Sequence, residues 1–412
     1  MDPRKDDMRY ARVGMLAVVA TVAVWAATCK ASDGPPPPPP APSVDVGVDM
    51  RTAPGTAVSV TARVAPRGAN GSSYRWTLTW GDGSADSGSA GSDGMISTSH
   101  AYAAVGQYAV SLTGRASTGA TANDTATVIV EPAGTPQVFI GAGDIGACGL
   151  PHSQRVAALI DTIPGTVFTL GDNAYPNASA TDYANCYAPT WGTFKKRTHP
   201  TSGNHEFQEY HHDTTADGYF GYFGVAAGTQ PMGIYSYGLG SWHIIVLNSS
   251  FEESVAAGRA LSRDKQLDWL RKDLAAHPAP CTLAMWHHPR FSSGTAHGSD
   301  TLLQPFWQAL YDANADVILA GHEHNYERFA PQKPDGTLDS ARGIREFVAG
   351  TAGGGYDSLD AAKVGVGNSE VGAMEHGALK LTLFADSYHW EFLETLPPVH
   401  HEFHDSGTAS CH

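Results

Sequence analysis

Basic side chains are scarce. Only 26 of the 412 residues are Lys or Arg, against 41 Asp or Glu, for a formal charge of −15. Such a surface as a whole repels a phosphate backbone, which excludes general nucleic-acid binding, while an anionic substrate stays compatible if bound cations reverse the sign locally. Charged residues make up just 16% of the chain and hydrophobic ones 42%, too apolar a mix for a disordered protein. Beyond the first thirty residues no apolar run is long enough to cross a bilayer. Cysteine is sparse too, with five in all. What is abundant is glycine (45), proline (26) and histidine (19). The first two imply turns and a linker, and the third raises the question of metal. At roughly 150 residues per domain, two or three units are expected.

Arg9 and Arg12 precede an uncharged stretch from Val13 to Thr28, short for a membrane span but right for the apolar part of a secretory signal. Residues 1–29 are read as that signal. Asp2, Asp6 and Asp7 fit a positive leader poorly, so a start at Met8 is the alternative. Ala26-Ala27-Thr28-Cys29 resembles a bacterial lipoprotein cleavage site, which implies a lipid on Cys29 and membrane anchoring; simple secretion is the competing reading. Either way the mature protein is expected outside the cytoplasm: secreted, periplasmic or lipid-anchored at the cell envelope. There Cys148, Cys186, Cys281 and Cys411 are in an oxidising setting. Of the three pairings, Cys148 with Cys186 and Cys281 with Cys411 is the expected one, and one bridge with two buried thiols is the alternative.

Residues 30–43 hold the proline run Pro35–Pro40 and Pro42, a stiff polyproline II spacer. From 44 to 132 apolar and polar residues alternate, as in Ala57-Val58-Ser59-Val60-Thr61 and Tyr108-Ala109-Val110-Ser111-Leu112, with Gly-rich turns between the runs. This pattern predicts an all-β sandwich. Trp80-Gly81-Asp82-Gly83-Ser84, and His100-Ala101-Tyr102 followed by Gly106-Gln107-Tyr108, resemble the turn and strand of a PKD domain, an immunoglobulin-like module. That resemblance implies a spacer or adhesion role, with Asp82 as a turn residue.

After Gly134 the pattern changes. Apolar strand candidates Val138–Ala142, Thr166–Leu170, Trp242–Leu247, Cys281–Trp286 and Val317–Ala320 alternate with helical periodicity in His152–Ile163 and Arg263–Ala276. Near-continuous apolar strands are expected where helices cover one sheet face and another sheet covers the other. Residues 136–396 are therefore an α/β domain. Residues 397–412, with His400, His401, His404 and His412, read as a polar tail.

Five polar clusters follow apolar strands in this domain: Gly143-Asp144, Gly171-Asp172-Asn173-Ala174-Tyr175, Gly203-Asn204-His205-Glu206 (after a loop), Trp286-His287-His288, and Gly321-His322-Glu323-His324. Ligands bind at the carboxyl ends of strands in open α/β sheets, so the clusters are positioned to converge. His322 and His324, two apart on an extended segment, are expected to point the same way. Together these groups offer more oxygen and nitrogen donors than one ion needs, and suit two cations sharing a carboxylate. Gly350-Thr351-Ala352-Gly353-Gly354-Gly355 lacks the Lys of a nucleotide loop and reads as a turn under the site.

The ordered set resembles the calcineurin-like metallophosphoesterases, and Tyr175 makes it similar to their purple acid phosphatase branch. The one departure is Ala284 where the family has Val before its His. The resemblance implies a two-sheet β-sandwich flanked by helices. It implies one metal on Asp144, Asp172, Tyr175 and His324, and a second on Asp172, Asn204, His287 and His322, with Asp172 bridging. A phenolate favours Fe(III) at the Tyr175 site, with Fe(II), Zn(II) or Mn(II) at the other. His205 and His297, with Asn204, would bind the phosphate, and the two histidines would protonate the leaving group at acidic to neutral pH. His288 and Glu206 are read as structural, and Arg328 as a framework ion pair. The expected activity is hydrolysis of small phosphomonoesters by in-line attack of a metal-bound hydroxide. A phosphodiesterase or nucleotide pyrophosphatase using the same metals is the rival. From another class, a surface adhesin with an inert phosphatase domain also stays open.

Overall fold

The computed structural model describes residues 41–65, 74–146, 148–207, 216–251, 262–395 and 403–412. The export signal with Cys29, the proline run and His400 and His401 lie outside the described residues. Alternation in the first module folds as two sheets: Ser43–Asp45, Ala57–Ala65 and Met95–Ala101 in one, and Met50–Thr52, Thr121–Val130, Gly106–Ala116, Tyr74–Thr79 and Ala85–Ser89 in the other. In Ala57–Ala65, Val58, Val60, Ala62 and Val64 are buried and the residues between them exposed. Period-two side chains thus supply one face of a core shared with Leu78, Trp80, Tyr102, Leu112 and Val128. Asp82 accepts hydrogen bonds from Ser84 N (3.0 Å) and lies 2.7 Å from His100 Nε2, so it shapes the turn.

The second module is built on two sheets face to face. One has the order Thr198–His199, Thr166–Thr169, Gln137–Ala142, Gly377–Leu383, Ser387–Glu394, Ser406–Ser410; the other runs Tyr235–Leu239, Trp242–Val246, Cys281–Met285, Val317–Ala320, Arg345–Ala349, Tyr326–Phe329, Ser369–Ala373. The runs Thr166–Thr169, Trp242–Val246, Cys281–Met285 and Val317–Ala320 are near-continuously apolar because both faces of these strands are covered. Phe139, Phe168, Ile244, Met285, Leu319 and Phe347 fill the space between the sheets. Ile140 and Val167 turn outward onto Val156 and Ile160 of helix Pro151–Asp161. Ile245, Ala284 and Ile318 meet Leu270, Trp307 and Leu310 of helices Arg263–Ala276 and Gln304–Asp312. Each fully buried side chain of this size contributes about 1.5–3 kcal/mol. This is the helix-flanked two-sheet sandwich expected from the sequence, preceded by an all-β module.

The C-terminus departs from that expectation. Ser406–Ser410 is an edge strand antiparallel to Ser387–Glu394, and Gly407 leaves room for the Trp390 ring, which a Cβ there would meet. His412 N donates to Asp316 Oδ1 at 3.0 Å. Its polar composition reflects an edge position rather than a free tail. The expected disulfides Cys148–Cys186 and Cys281–Cys411 are both present, the second fastening this strand to the opposite sheet. Among the described residues no helix is long and apolar enough to cross a membrane.

Candidate metal centre

The Gly-Asp ends of two neighbouring parallel strands hold each other in place. Asp144 N donates to Gly171 O at 3.1 Å and Ile145 N to Asp172 O at 3.0 Å, directly beyond the pairing of Gln137–Ala142 with Thr166–Thr169. Both aspartates adopt left-handed backbone, φ 59° and 49°, and His322 does so at 70°. Such conformations cost of order 1–3 kcal/mol each for non-glycine residues and gather where a structure holds side chains for a purpose. Gly321 and Gly350 make close approach possible: a Cβ on either would fall 2.7 or 2.6 Å from Asp144 Oδ2.

On one side of the site the Tyr175 hydroxyl lies 2.9 Å from Asp172 Oδ2, 3.2 Å from Asp144 Oδ1 and 3.1 Å from His324 Nε2. A single phenolic proton cannot serve both carboxylates. On the other side, His287 donates Nδ1–H to Leu170 O at 2.6 Å, which turns Nε2 toward Asn204 Oδ1 (2.9 Å), Asp172 Oδ2 (3.4 Å) and His322 Nδ1 (3.2 Å). Asp172 stands between the two groups. Carboxylate, phenol, amide and imidazole donors converging on either side of Asp172 fit a pair of cations, and the oxygen-rich, phenol-containing half differs from the imidazole-rich half.

Electrostatics point the same way. Burial disfavours charge on the buried His287, yet Asp172 and Asp144 outweigh it and push its pKa up to about 10. His324, likewise disfavoured by burial, is carried up to about 9 by Asp144. The pocket's carboxylates thus hold positive charge wherever they can find it. Tyr175 is pushed well above the ordinary phenol value by burial, then by Asp172 and Asp144, so only a strongly acidic cation would draw off its proton.

The structure brings all seven candidate ligands together: Asp144, Asp172, Tyr175, Asn204, His287, His322 and His324. His205 N donates to Asp172 Oδ1 at 2.9 Å; its Nδ1 is 2.6 Å from Pro176 O and its Nε2 3.7 Å from Asp172 Oδ2. His297 is exposed at the rim, its ring 4.0 Å from that of His322. His288 pairs with Ser249 Oγ at 2.8 Å, and burial, reinforced by His287, depresses it to about 3. Arg328 is held by Asp405 and Glu370, away from any phosphate role.

One local expectation is corrected. The His322–His324 segment is bent rather than extended: Glu323 N donates to Gly321 O at 2.9 Å and Asn325 N to Glu323 O at 2.8 Å. With His322 left-handed, the two rings still reach the centre, but from different sides. The bend also turns the buried Glu323 under the neighbouring loop, where its Oε1 accepts from His297 N (2.8 Å) and Gly298 N and so carries the His297 loop. Glu206 collects Gly203 N, Asn173 N and Asp172 N at 2.6–3.0 Å, tying two site loops to one carboxylate. Asp357 accepts from His324 N at 3.0 Å. The sequence marked neither Glu323 nor Asp357; alternation about His-x-His, applied to its middle residue, was the available signal for the first.

This fold and site define a class. Residues 124–326 match the calcineurin-like phosphoesterase family and residues 39–130 the PKD domain, so the chain joins a calcineurin-like metallophosphoesterase domain to an N-terminal PKD domain. It is 26% identical over 232 residues to purple acid phosphatase 15 of Arabidopsis thaliana, covering 48% of this chain and 42% of that protein. It is 29% identical over 171 residues to probable purple acid phosphatase 20 of the same plant, covering 36% and 38%. The chain thus spans less than half the length of these relatives. Among solved structures, PhoD shares the fold, with a TM-score of 0.51 at 13% identity over 89% of this chain and 88% of that one.

Proposed function

We propose that the chain is an exported phosphomonoesterase of the purple acid phosphatase type, working at a dinuclear centre. The observation that carries this reading is the Tyr175 hydroxyl, 2.9–3.2 Å from Asp172, Asp144 and His324, beside an imidazole-rich half that shares Asp172. Asp144, Asp172, Tyr175 and His324 would hold Fe(III), and Asp172, Asn204, His287 and His322 a second ion, Fe(II), Zn(II) or Mn(II). When bound, two such cations supply Lewis acidity to the phosphoryl group and acidify a water. The chain's own residues do the rest. His205, with Nδ1 beside the Pro176 carbonyl, keeps Nε2 toward the centre, where it can bind a phosphate oxygen and hand a proton to the leaving alkoxide. His297 reaches the same substrate from the rim, on a loop set by Glu323. Two disulfides support function in an oxidising compartment outside the cytoplasm.

The test compares hydrolysis of an aryl phosphate monoester with that of the corresponding bis-ester by metal-loaded protein, with Asp172→Asn as control. Faster monoester turnover, abolished in the variant, is the expected result. Preferential cleavage of the bis-ester would replace this reading with a phosphodiesterase, and no turnover of either would leave the domain inert.

A further inference from the structure

A second cluster of metal-ligating groups lies apart from the strand ends that carry the centre above. His243 sits in strand Trp242–Val246, beside Thr282 of the next strand. Asp273 occupies the last turn of helix Arg263–Ala276, and His277 follows it as the residue that closes the helix. Spacing of four residues puts Asp273 and His277 on one helix face, the face turned to His243. One ligand atom from each of the three residues can be chosen so that all lie within 4.8 Å of one another.

His277 Nδ1 hydrogen-bonds Asp273 O and Oδ1, both at 3.1 Å, but the contact between His243 and Asp273 suits an ion better than a hydrogen bond. His243 Nε2 is 3.0 Å from Asp273 Oδ2, yet the two are not aligned as a hydrogen bond, and neither these atoms nor His243 Nδ1 has a hydrogen-bond partner. His243 is only 4% exposed, so water does not compensate it. A buried imidazole with both nitrogens unmatched costs roughly 1–3 kcal/mol per group unless something else meets it. Asp273 is already oriented as a ligand: Ser236 Oγ donates to its Oδ1 at 2.7 Å and His277 Nδ1 is 3.1 Å from the same oxygen. These separations are close to the roughly 3.3 Å ligand edge of a tetrahedral zinc with 2.0–2.1 Å bonds. The carbonyl end of the helix adds partial negative charge where the cation would sit.

We propose that His243, Asp273 and His277 form a separate zinc site, with two imidazoles and one carboxylate as ligands. Such a donor set selects a borderline divalent cation over calcium or magnesium. The fourth position opens on a cleft lined by His243, His277, Ser236 and Tyr237 on one side and by Thr56 and Glu131 of the PKD module on the other. A water would complete the coordination there. The ion would fasten the end of helix Arg263–Ala276 to the strand beneath it.

The test is zinc titration of the metal-loaded full chain beside His277→Gln and Asp273→Asn. His277 is largely exposed, so its replacement leaves the core intact. Wild type is expected to bind one more equivalent than either variant and to gain thermal stability from it. An affinity loss of at least tenfold in the variants is expected, since even removal of an orienting partner costs 10–100-fold. The difference between proteins, rather than the total, is what counts, so failure of the dinuclear reading would not obscure it. Equal stoichiometry and equal affinity in all three proteins would overturn the site.

Discussion

At the scale of single residues, the candidate centre gathers carboxylate, phenol, amide and imidazole groups around Asp172. Asp144, Asp172 and His322 accept left-handed backbone to hold that arrangement. His205 and His297 lie outside the proposed ligand set, so the roles proposed for them can be separated from metal binding. His205→Ala is expected to lower kcat for an aryl monoester by about 10²–10⁴. His297→Ala, at the exposed rim, should cost less, and metal content should be unchanged in both, as elemental analysis would check. A different histidine, buried away from the candidate centre, contributes to acid stability. His199 stacks on Tyr237 with ring centres 3.8 Å apart, and burial lowers its pKa from 6.5 to about 3. Below pH 6.5 the unfolded chain takes up a proton that the folded chain refuses, so stability falls with acidification until about pH 3. The slope from this group is about 1.4 kcal/mol per pH unit. Urea unfolding at pH 7, 5 and 4 should show that slope reduced by this amount in His199→Phe. The convergence of the five clusters was legible in the sequence because four of them directly follow apolar runs, while the assignment of seven donors came from the resemblance that their order carries. Asp357 was not, because it acts on a backbone N–H group 33 residues away and no local pattern marks such an acceptor; for Glu323 the only signal was its place between two candidate ligands.

At the scale of elements, the candidate site residues sit in loops beyond strand ends and on the short helix Asn204–Phe207, and buried carboxylates shape these segments. Glu206 takes three backbone donors from the Asp172 and Gly203 turns. Burial, and then Asp172, raise its pKa, yet these N–H groups oppose that shift. Glu206→Ala would strand three buried donors at about 1–3 kcal/mol each, so destabilisation of more than about 3 kcal/mol is expected. Denaturant unfolding measures it, and metal retention on dialysis should fall in parallel. Strands with both faces covered were readable as apolar runs: Val317–Ala320 and helix Arg263–Ala276 have the ends expected for them. Thr198–His199 was not, since a two-residue strand has no periodicity to read. The bend at His322–His324 escaped for a related reason: a left-handed histidine is set by tertiary contacts with Asp144, whose Oδ2 accepts from His322 N at 2.8 Å.

At the scale of the whole molecule, the C-terminal strand closes the domain. Cys281 and Cys411, 130 residues apart, tie it across to the second sheet. Replacing both by serine should cost about 2–5 kcal/mol in urea unfolding, with the edge strand at Ser406–Ser410 exchanging its amides first. The two cysteines were visible in the sequence, but the strand between them was hidden by its polar composition. The net charge of −15 gains meaning at this scale as well. A surface of that sign offers a phosphate ester little attraction, which under the proposed function leaves the task to cations that Asp144, Asp172 and their neighbours would hold. The visible spectrum of the iron-loaded protein tests that account most directly. A phenolate-to-iron charge-transfer band in wild type, lost in Tyr175→Phe while iron stays bound, is the predicted result; iron-replete wild-type protein without the band would contradict it.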